Sequence, residues 1–543
     1  MTAATPITLL PRSRRWAYRI GLALSPLLLW AGPTVAAERI LLRYGPLEFS
    51  LRVSSLADYA THGRIAPDLR DFTRQLNDAQ LDNLRTILRT RVDLEPLALS
   101  QFLYSPQGEV ILRQLGELIQ TQKGESGFYA LRAALILAAA DADEGLTALN
   151  VLEKFPLAGL RVNSALALAA LNEVSRTVQE TNQVIGAIQA AAAQEAAAAA
   201  EPFTRDLRQP GDVLFDRTAL ILNDVERDRV FPVDFYRPQP GDYPAGTLRD
   251  RLPLVVISHG LGGDRQTYAY LAEHLASHGI AVAVPEHPGS SASQLQDLAS
   301  GLTRDVTPPQ ELIDRPLDIR FILDELAQRY GDRLASDRVA VIGQSFGAYT
   351  ALVLAGAQLD FEHLGAACEA SRQPFNLSLL LQCAAQSLPG QEYDLVEPRV
   401  AAVLAINPLG SVLFGPRQLT PVAAPTVAIV AGSADTVTPA LAEQIQPFAT
   451  LASEYAYLIL MQGGTHFSTL GVSDQDVPLP AAVVGPEPAI ARDYIKALSL
   501  ALVEAELLGR QASRAYLTAA YAQALSQDTM PLTLTRSLPP RQR

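Results

Sequence analysis

Hydrophobic positions recur at two different spacings along the chain, and the change of spacing divides it. In the first third they follow a helical period, as Leu81, Leu84 and Leu88 do. An alternating stretch over residues 47–53 comes before these helices and predicts a strand or an extended edge. The pattern therefore predicts a small, mainly α-helical domain over residues 38–186.

An alanine-rich block follows this domain. Residues 187–204 are of low complexity and form helices readily, and Pro202 ends the run. Apart from glutamate the block contains no residue type used in catalysis. We predict a helical linker whose role is spacing or packing.

Beyond the linker, buried strands alternate with helical segments. Continuous buried runs such as 254–258, 339–342 and 457–461 are typical of strands covered on both faces. Strands that alternate with helices form a mostly parallel sheet with helices on both sides. We predict such an α/β domain over residues 205–510, with residues 511–543 as a C-terminal tail.

The first 37 residues have the features of an export signal. Four arginines precede an apolar stretch, and Val35-Ala36-Ala37 offers a small-residue cleavage site. The alternative is an uncleaved membrane anchor, but Pro26 interrupts an apolar run shorter than the roughly 20 residues that a span needs. We expect a signal peptide over 1–37 and a periplasmic or extracellular protein. Arg14 and Arg15 leave both general and twin-arginine export open.

Charge and motifs exclude several function classes. The net charge of −13 becomes −17 when the four arginines of residues 1–37 are lost. This charge disfavours nucleic acid and anionic membranes as partners. Later apolar runs are too short to predict an integral membrane segment. Metalloprotease, phosphate-loop and dinucleotide motifs do not occur, so we expect neither a metal nor an organic cofactor. A protein partner of the helical domain stays open.

The two cysteines, Cys368 and Cys383, lie 15 positions apart. In an exported chain we predict a disulfide between them, and the alternative is two free buried thiols. Both lie in a long insertion, residues 358–398, that is rich in leucine and phenylalanine. This insertion is either an apolar cap over a binding site or an ordinary packed helix pair.

The sequence GQSFG at 343–347 places Ser345 directly after a predicted buried strand and directly before an apolar helix. A Gly-x-Ser-x-Gly match occurs often by chance. At a strand-to-helix junction, however, it predicts a tight turn that exposes a serine nucleophile. The two glycines leave room for the close approach of helix and strand.

A serine nucleophile needs a base, and His466 is the candidate. In α/β-hydrolases the acid and the histidine follow the serine, which leaves His363 and His466. His363 follows too closely to return on another strand, whereas His466 lies on the loop that follows the strand at 457–461. The alternative is a surface loop histidine. His259 precedes the serine and better suits a hydrogen bond to its own loop.

Asp435 is the candidate for the acid that orients His466. It follows a buried strand, although it could merely cap the helix after it. Asn407, after the preceding strand, cannot supply a negative charge. The backbone N–H groups of Leu261 and Phe346 are the expected donors to the oxyanion.

Three motifs, SHGLGG, AVPEHPGS and GQSFGAYTA, resemble the platelet-activating-factor-acetylhydrolase-like group of α/β-hydrolases, which is related to dienelactone-hydrolase-like esterases. The likeness covers roughly residues 205–510. Residues 38–160 are similar to an uncharacterised helical domain found ahead of such hydrolases in some secreted bacterial proteins. The resemblance implies Ser345 as nucleophile, His466 as base, and Leu261 and Phe346 as donors. In the acetylhydrolase itself the acid follows the strand that ends here at Asn407.

Together these features predict an exported serine hydrolase that cleaves small-molecule or lipid esters, including phospholipid acyl esters, through an acyl-enzyme. The alternatives are a peptidase or thioesterase with the same triad, and a non-catalytic interaction scaffold.

Overall fold

The computed structural model describes residues 37–539, apart from 45–46, 75, 198–202, 242–250, 371–375, 391, 418 and 475–480. The predicted signal peptide, except for Ala37, therefore lies outside the described residues. The chain separates into two compact units. The first consists of the chain up to Asp93 together with Ile119–Val162, and the second of Leu94–Leu118 together with the chain from Asn163 onward.

The elements follow one another along the chain in two series. The first series is β1 Arg39–Tyr44, β2 Leu47–Arg52, α1 Val53–His62, α2 Pro67–Thr73, α3 Asp78–Arg89, α4 Pro96–Leu103, α5 Pro106–Leu118, β3 Ile119–Thr121, α6 Phe128–Ala139, α7 Ala148–Glu153, β4 Gly159–Val162 and α8 Ser164–Ala197. The second is β5 Phe215–Asp224, β6 Arg229–Pro238, β7 Leu252–Ser258, α9 Ala269–Ser277, β8 Ala281–Pro285, α10 Ala292–Ala299, α11 Glu311–Tyr330, β9 Leu334–Gln344, α12 Phe346–Leu354, α13 Phe361–Ala370, α14 Ser378–Ala384, β10 Val400–Ile406, β11 Thr426–Gly432, α15 Gln446–Phe448, β12 Tyr455–Met461, α16 Ala481–Val484, α17 Pro488–Glu506, α18 Ala519–Leu525 and β13 Leu532–Thr535.

The first unit combines helices with a small sheet. Its four strands lie in the order β2-β1-β4-β3, with β1 antiparallel to β2 and parallel to β4. The alternating stretch at 47–53 forms β2 up to Arg52, and Val53 already begins α1. Because of this sheet the unit is less helical than predicted. The sequence did not reveal β3 and β4, since strands of three and four residues are too short to show an alternating pattern.

The second unit is built on a nine-stranded sheet in the order β13-β12-β11-β10-β9-β7-β8-β6-β5. The six strands β7 to β12 run parallel, whereas β5, β6 and β13 pair antiparallel with their neighbours. This arrangement confirms the predicted, mostly parallel α/β sheet.

Helices cover both faces of the sheet. Leu254 and Val256 of β7 pack in one core cluster with residues of α11 and α12, while Val255 and Ile257 pack in another with residues of α9 and α17. Because neighbouring residues of a strand point to opposite faces, two-sided burial requires an unbroken apolar run. This explains why the central strands lack alternation.

The unit boundaries differ from the predicted domain boundaries. The helix α8 is continuous from Ser164 to Ala197, so it includes much of the predicted linker 187–204, of which 198–202 lie outside the described residues. Its Ala192 and Ala196 pack with Ala519 of α18. The predicted tail 511–543 contains α18 and β13, and β13 pairs with β12. These C-terminal elements have seven and four residues, too few for a periodic signal.

Candidate active site

Ser345 occupies a sharp turn between β9 and α12. Its backbone has φ 55° and ψ −115°, a conformation rare for a residue with a side chain. The Ser345 N–H donates to the Ile406 carbonyl at 2.8 Å. A Cβ at Gly343 would lie 2.0 Å from the Gly347 carbonyl oxygen. The strained serine and the two glycines thus form the geometry of a nucleophile elbow.

Asp435 and His466 lie at the same edge of the sheet as Ser345. The three residues follow β9, β11 and β12, whose carboxyl ends meet there because these strands are parallel. His466 Nδ1 lies 2.8 Å from Asp435 Oδ2. The Gln344 amide donates to the His466 carbonyl at 3.0 Å, which links the elbow to the histidine loop. All three predicted triad residues are buried, Ser345 being 7% exposed.

Hydrogen-bond donors surround the Asp435 carboxylate. Oδ1 accepts from the N–H groups of Val437 and Thr438, both at 2.8 Å. Oδ2 accepts from the Thr438 hydroxyl at 2.7 Å and from the Asn407 amide at 2.6 Å. Burial alone would raise the pKa of Asp435, but His466 and the Thr438 donors lower it below its ordinary value. The carboxylate therefore stays charged beside His466.

Sequence reasoning did not identify Thr438 as part of this site. Its Oγ1 lies 3.1 Å from His466 Nδ1 while it donates to Asp435, so it contacts both residues. The sequence Ala-Asp-Thr-Val-Thr at 434–438 carried a signal for this contact. An aspartate often accepts hydrogen bonds from the backbone N–H groups two and three residues later, and such a turn brings the side chain of the third residue next to the aspartate.

The two predicted oxyanion donors lie on neighbouring segments. Phe346 is the first residue of α12, and Leu261 follows β7 in the turn that begins with His259. A Cβ at Gly347 would lie 2.0 Å from the Ser258 carbonyl oxygen, so only glycine permits this approach of α12 to the end of β7. His259 is fully buried, and its Nδ1 lies 2.7 Å from the Gly260 carbonyl, as expected for a hydrogen bond to its own loop.

His363 lies apart from this arrangement. It belongs to α13, where its N–H donates to the Asp360 carboxylate at 2.9 Å. Within the part of the chain that the structure describes, no group of three or more histidine, cysteine or acidic residues could hold a metal ion. The helices described are each too short or too polar to cross a bilayer.

Comparison with known proteins gives matches over parts of the chain. Residues 36–163 match the family described as alpha/beta hydrolase of unknown function (DUF1400), and residues 243–300 match platelet-activating factor acetylhydrolase, isoform II. The dog platelet-activating factor acetylhydrolase is 31% identical over 19% of this chain and 32% of its own length. Esterase YjfP of Escherichia coli is 32% identical over 20% of this chain and 42% of its own length. The chain thus spans less than half the length of these relatives.

Over these segments the chain is similar to platelet-activating-factor-acetylhydrolase-like α/β-hydrolases. These matches confirm the resemblance of the N-terminal segment and that of the motifs SHGLGG and AVPEHPGS, which lie within residues 243–300. Asn407 has φ 47° and donates from its side-chain amide to Asp435. Asn407, which directly follows β10, therefore touches the predicted acid.

The insertion 358–398 packs against the core of the second unit, with residues 371–375 and 391 outside the described part. Its helices α13 and α14 are joined by a disulfide between Cys368 and Cys383, and Leu364 and Leu381 belong to the core. Glu443 accepts hydrogen bonds from the insertion and from the loop after β10, with donors on Asn376, Ser378, Gln382, Gly410 and Ser411. The described part of the insertion is therefore a helix pair held by a disulfide, by core contacts and by hydrogen bonds to Glu443.

The second unit contains another Ser-His-Asp arrangement, which is fully buried. His287 Nε2 lies 3.0 Å from the Ser258 hydroxyl, and its Nδ1 lies 2.9 Å from Asp318 Oδ2. All three side chains are fully buried. Burial, followed by the charges of nearby arginines, holds the pKa of His287 well below its ordinary value. No substrate can reach Ser258, so this set belongs to the protein's interior framework.

Proposed function

We propose that this protein is a serine hydrolase that cleaves carboxylic esters. The observation that carries the proposal is the hydrogen bond between His466 Nδ1 and Asp435, at the sheet edge where Ser345 occupies its strained turn. The names of two relatives, an acetylhydrolase and an esterase, support an ester as substrate. Phospholipid acyl esters are part of the proposed substrate class.

Each residue has a definite part in the proposed reaction. Ser345 Oγ attacks the ester carbonyl carbon while its proton passes to His466 Nε2. Asp435 accepts from Nδ1, which keeps Nε2 free to act as the base. The N–H groups of Leu261 and Phe346 bind the oxyanion as it forms.

The acyl-enzyme then breaks down by the same route. His466 gives its proton to the departing alcohol, which leaves the acyl group on Ser345. A water molecule, deprotonated by His466, attacks that acyl carbon, and Ser345 recovers the proton as the acid product departs.

A fluorophosphonate probe tests the nucleophile. The wild-type protein should be labelled and Ser345→Ala should not, whereas Ser387→Ala, at an exposed serine of the insertion, should be labelled like wild type. Absent labelling of the wild type, or labelling that persists in Ser345→Ala, would contradict the proposal. Activity on p-nitrophenyl esters but not on peptides or thioesters would separate an esterase from its rivals, and inactivity on all three would favour a scaffold.

We also propose that the chain is exported and cleaved after Ala37. Its support is the arginine-rich, apolar start of the sequence together with a disulfide, a bond that persists in oxidising compartments. N-terminal sequencing of the protein recovered outside the cytoplasm should begin at Glu38. Recovery from the cytoplasm with residues 1–37 still attached would contradict this.

A further inference from the structure

Arg315 lies in α11 and is fully buried. Its guanidinium donates to the Ser258 hydroxyl at 3.1 Å, to the Ser290 hydroxyl at 3.0 Å and to the His259 carbonyl oxygen. Two of these contacts fall on the segment that leads from β7 into the Leu261 turn. Arg315 thus holds the base of the loop that carries one expected oxyanion donor.

The same guanidinium also contacts the other donor segment. Its central carbon lies 4.4 Å from the centroid of the Phe346 ring, a cation–π distance. Phe346 carries the second expected donor in its backbone N–H. A single side chain therefore touches both segments from the buried side.

His259 extends this support to the Leu261 amide. Its Nε2 accepts from the His287 N–H at 3.1 Å, so its Nδ1 must carry the proton that is donated to the Gly260 carbonyl at 2.7 Å. That carbonyl and the Leu261 N–H belong to one planar peptide and point in opposite directions. A fixed Gly260 carbonyl therefore fixes the direction of the Leu261 N–H.

Burial, then the charge of Arg315, holds the pKa of His259 well below its ordinary value. His259 is therefore neutral, as the two hydrogen bonds of its ring require.

The partners of Arg315 are unusual for a buried cation. Among the described residues no carboxylate forms an ion pair with it, whereas the neighbouring Arg229 pairs with Asp318 at 2.7 Å and Glu311 at 2.7 Å. The carboxylates of Glu311 and Asp318 favour its charge without contacting it. A buried cation whose hydrogen bonds all go to neutral oxygens still costs more free energy to bury than one in a direct ion pair. Packing alone therefore gives a poor account of why an arginine is at this position.

We propose that Arg315 is a positioning residue that sets the two oxyanion donors, the Leu261 and Phe346 amides, at a fixed separation. The inference rests on the proposed function, since it concerns the transition state of that reaction. A positioning role differs from a merely structural one, because loss of Arg315 should then weaken binding of the oxyanion more than binding of the substrate.

The test compares Arg315→Met and Arg315→Lys with a matched control, Arg229→Met. The control removes a partly buried arginine and its ion pairs with Asp318 and Glu311, and Arg229 itself contacts neither donor segment. We expect Arg315→Met to lower kcat by about 10- to 100-fold with KM changed by less than about threefold, as for misplaced transition-state groups. Arg315→Lys, which keeps a charge and fewer donors, should lose about tenfold. The control should stay within about threefold of wild type in kcat.

A trifluoromethyl ketone supplies the second readout, because its serine adduct carries an anionic oxygen. Its affinity should fall in parallel with kcat/KM in both Arg315 variants and should not fall in Arg229→Met. If Arg315→Met does not fold, Arg315→Lys carries the same two comparisons.

The inference is overturned if the folded Arg315 variants match the control in kcat, or if they lose kcat and keep full ketone affinity. If the wild-type protein hydrolyses no ester and binds no ketone, the proposed function itself has failed. These two failures are therefore distinguishable.

Discussion

The substitution Asp435→Asn tests how the acid acts on His466. Oδ1 of Asp435 accepts from two backbone N–H groups, so the amide oxygen of an asparagine must take that place. The amide NH₂ then occupies the Oδ2 position, 2.8 Å from His466 Nδ1. It donates to Nδ1 and drives the ring proton to Nε2, where it blocks acceptance of the Ser345 proton.

The size of the effect follows from the lost charge. Opposite charges about 4 Å apart attract by about 4 kcal/mol at an effective dielectric constant of about 20. Since about 1.4 kcal/mol corresponds to a factor of ten, kcat should fall about 10³-fold. The wrong tautomer adds to this loss, so the figure is a lower bound.

The assay is the steady-state hydrolysis of p-nitrophenyl butyrate. Asp337→Asn, which removes an exposed carboxylate that pairs with Arg251, is the control and should keep the wild-type kcat. A loss of less than about tenfold in Asp435→Asn would refute the assignment of the acid, because the electrostatic argument requires far more.

Asn407 offers a way to return the charge. Its amide lies 2.6 Å from Asp435 Oδ2, and aspartate tolerates its backbone conformation of φ 47°. The double variant Asn407→Asp with Asp435→Asn places a carboxylate one hydrogen bond further from His466. It should recover about tenfold in kcat over Asp435→Asn alone, because attraction weakens with distance while the wrong tautomer persists. No recovery would show that the tautomer alone limits the reaction.

Two further predictions concern stability. Replacing both Cys368 and Cys383 by serine should lower the free energy of unfolding by about 3 kcal/mol, the value for a loop of about 15 residues, and urea unfolding of variant and wild type measures it; equal midpoints would contradict this. Burial, followed by the influence of His278 and Lys496, lowers the pKa of His274 to about 3. Below a pH of about 6.5 the unfolded chain therefore binds a proton at this histidine and the folded chain does not. The free energy of unfolding should fall by about 1.4 kcal/mol per pH unit as the pH drops from about 6.5 toward 3. His274→Gln should flatten this decline in urea titrations at several pH values, the exposed-site control His62→Gln should not, and identical slopes for His274→Gln and wild type would refute it.

The sequence predicted the features that are local along the chain. Ser345 and His466 each come soon after an unbroken apolar run, and such runs predict buried strands whose ends meet at one edge. The glycines that flank Ser345 belong to the same short stretch. A reader of the sequence can therefore place the candidate residues at the sheet edge without knowing any contact.

Features that depend on distant contacts could not be predicted in this way. Arg315 lies in an amphipathic helix like any other arginine, and only the packing of α11 brings it under Phe346. Strand β4 has four residues and gains its place by pairing with β1 and β3. Tertiary contacts determine the surroundings of Arg315 and the pairing of β4, and the local sequence pattern does not predict either.

The short strand β13 has a consequence for handling this protein. It pairs with β12, the strand that leads to His466, and covers its outer edge through the register from Leu458 to Met461. A truncation before Leu532 would leave that apolar strand with unpaired N–H and C=O groups facing solvent. An uncovered edge of this kind recruits strands from other molecules. Proteins truncated before Leu532 should therefore aggregate before any change in turnover can be measured. For the same reason an affinity tag should be placed where it leaves β13 intact.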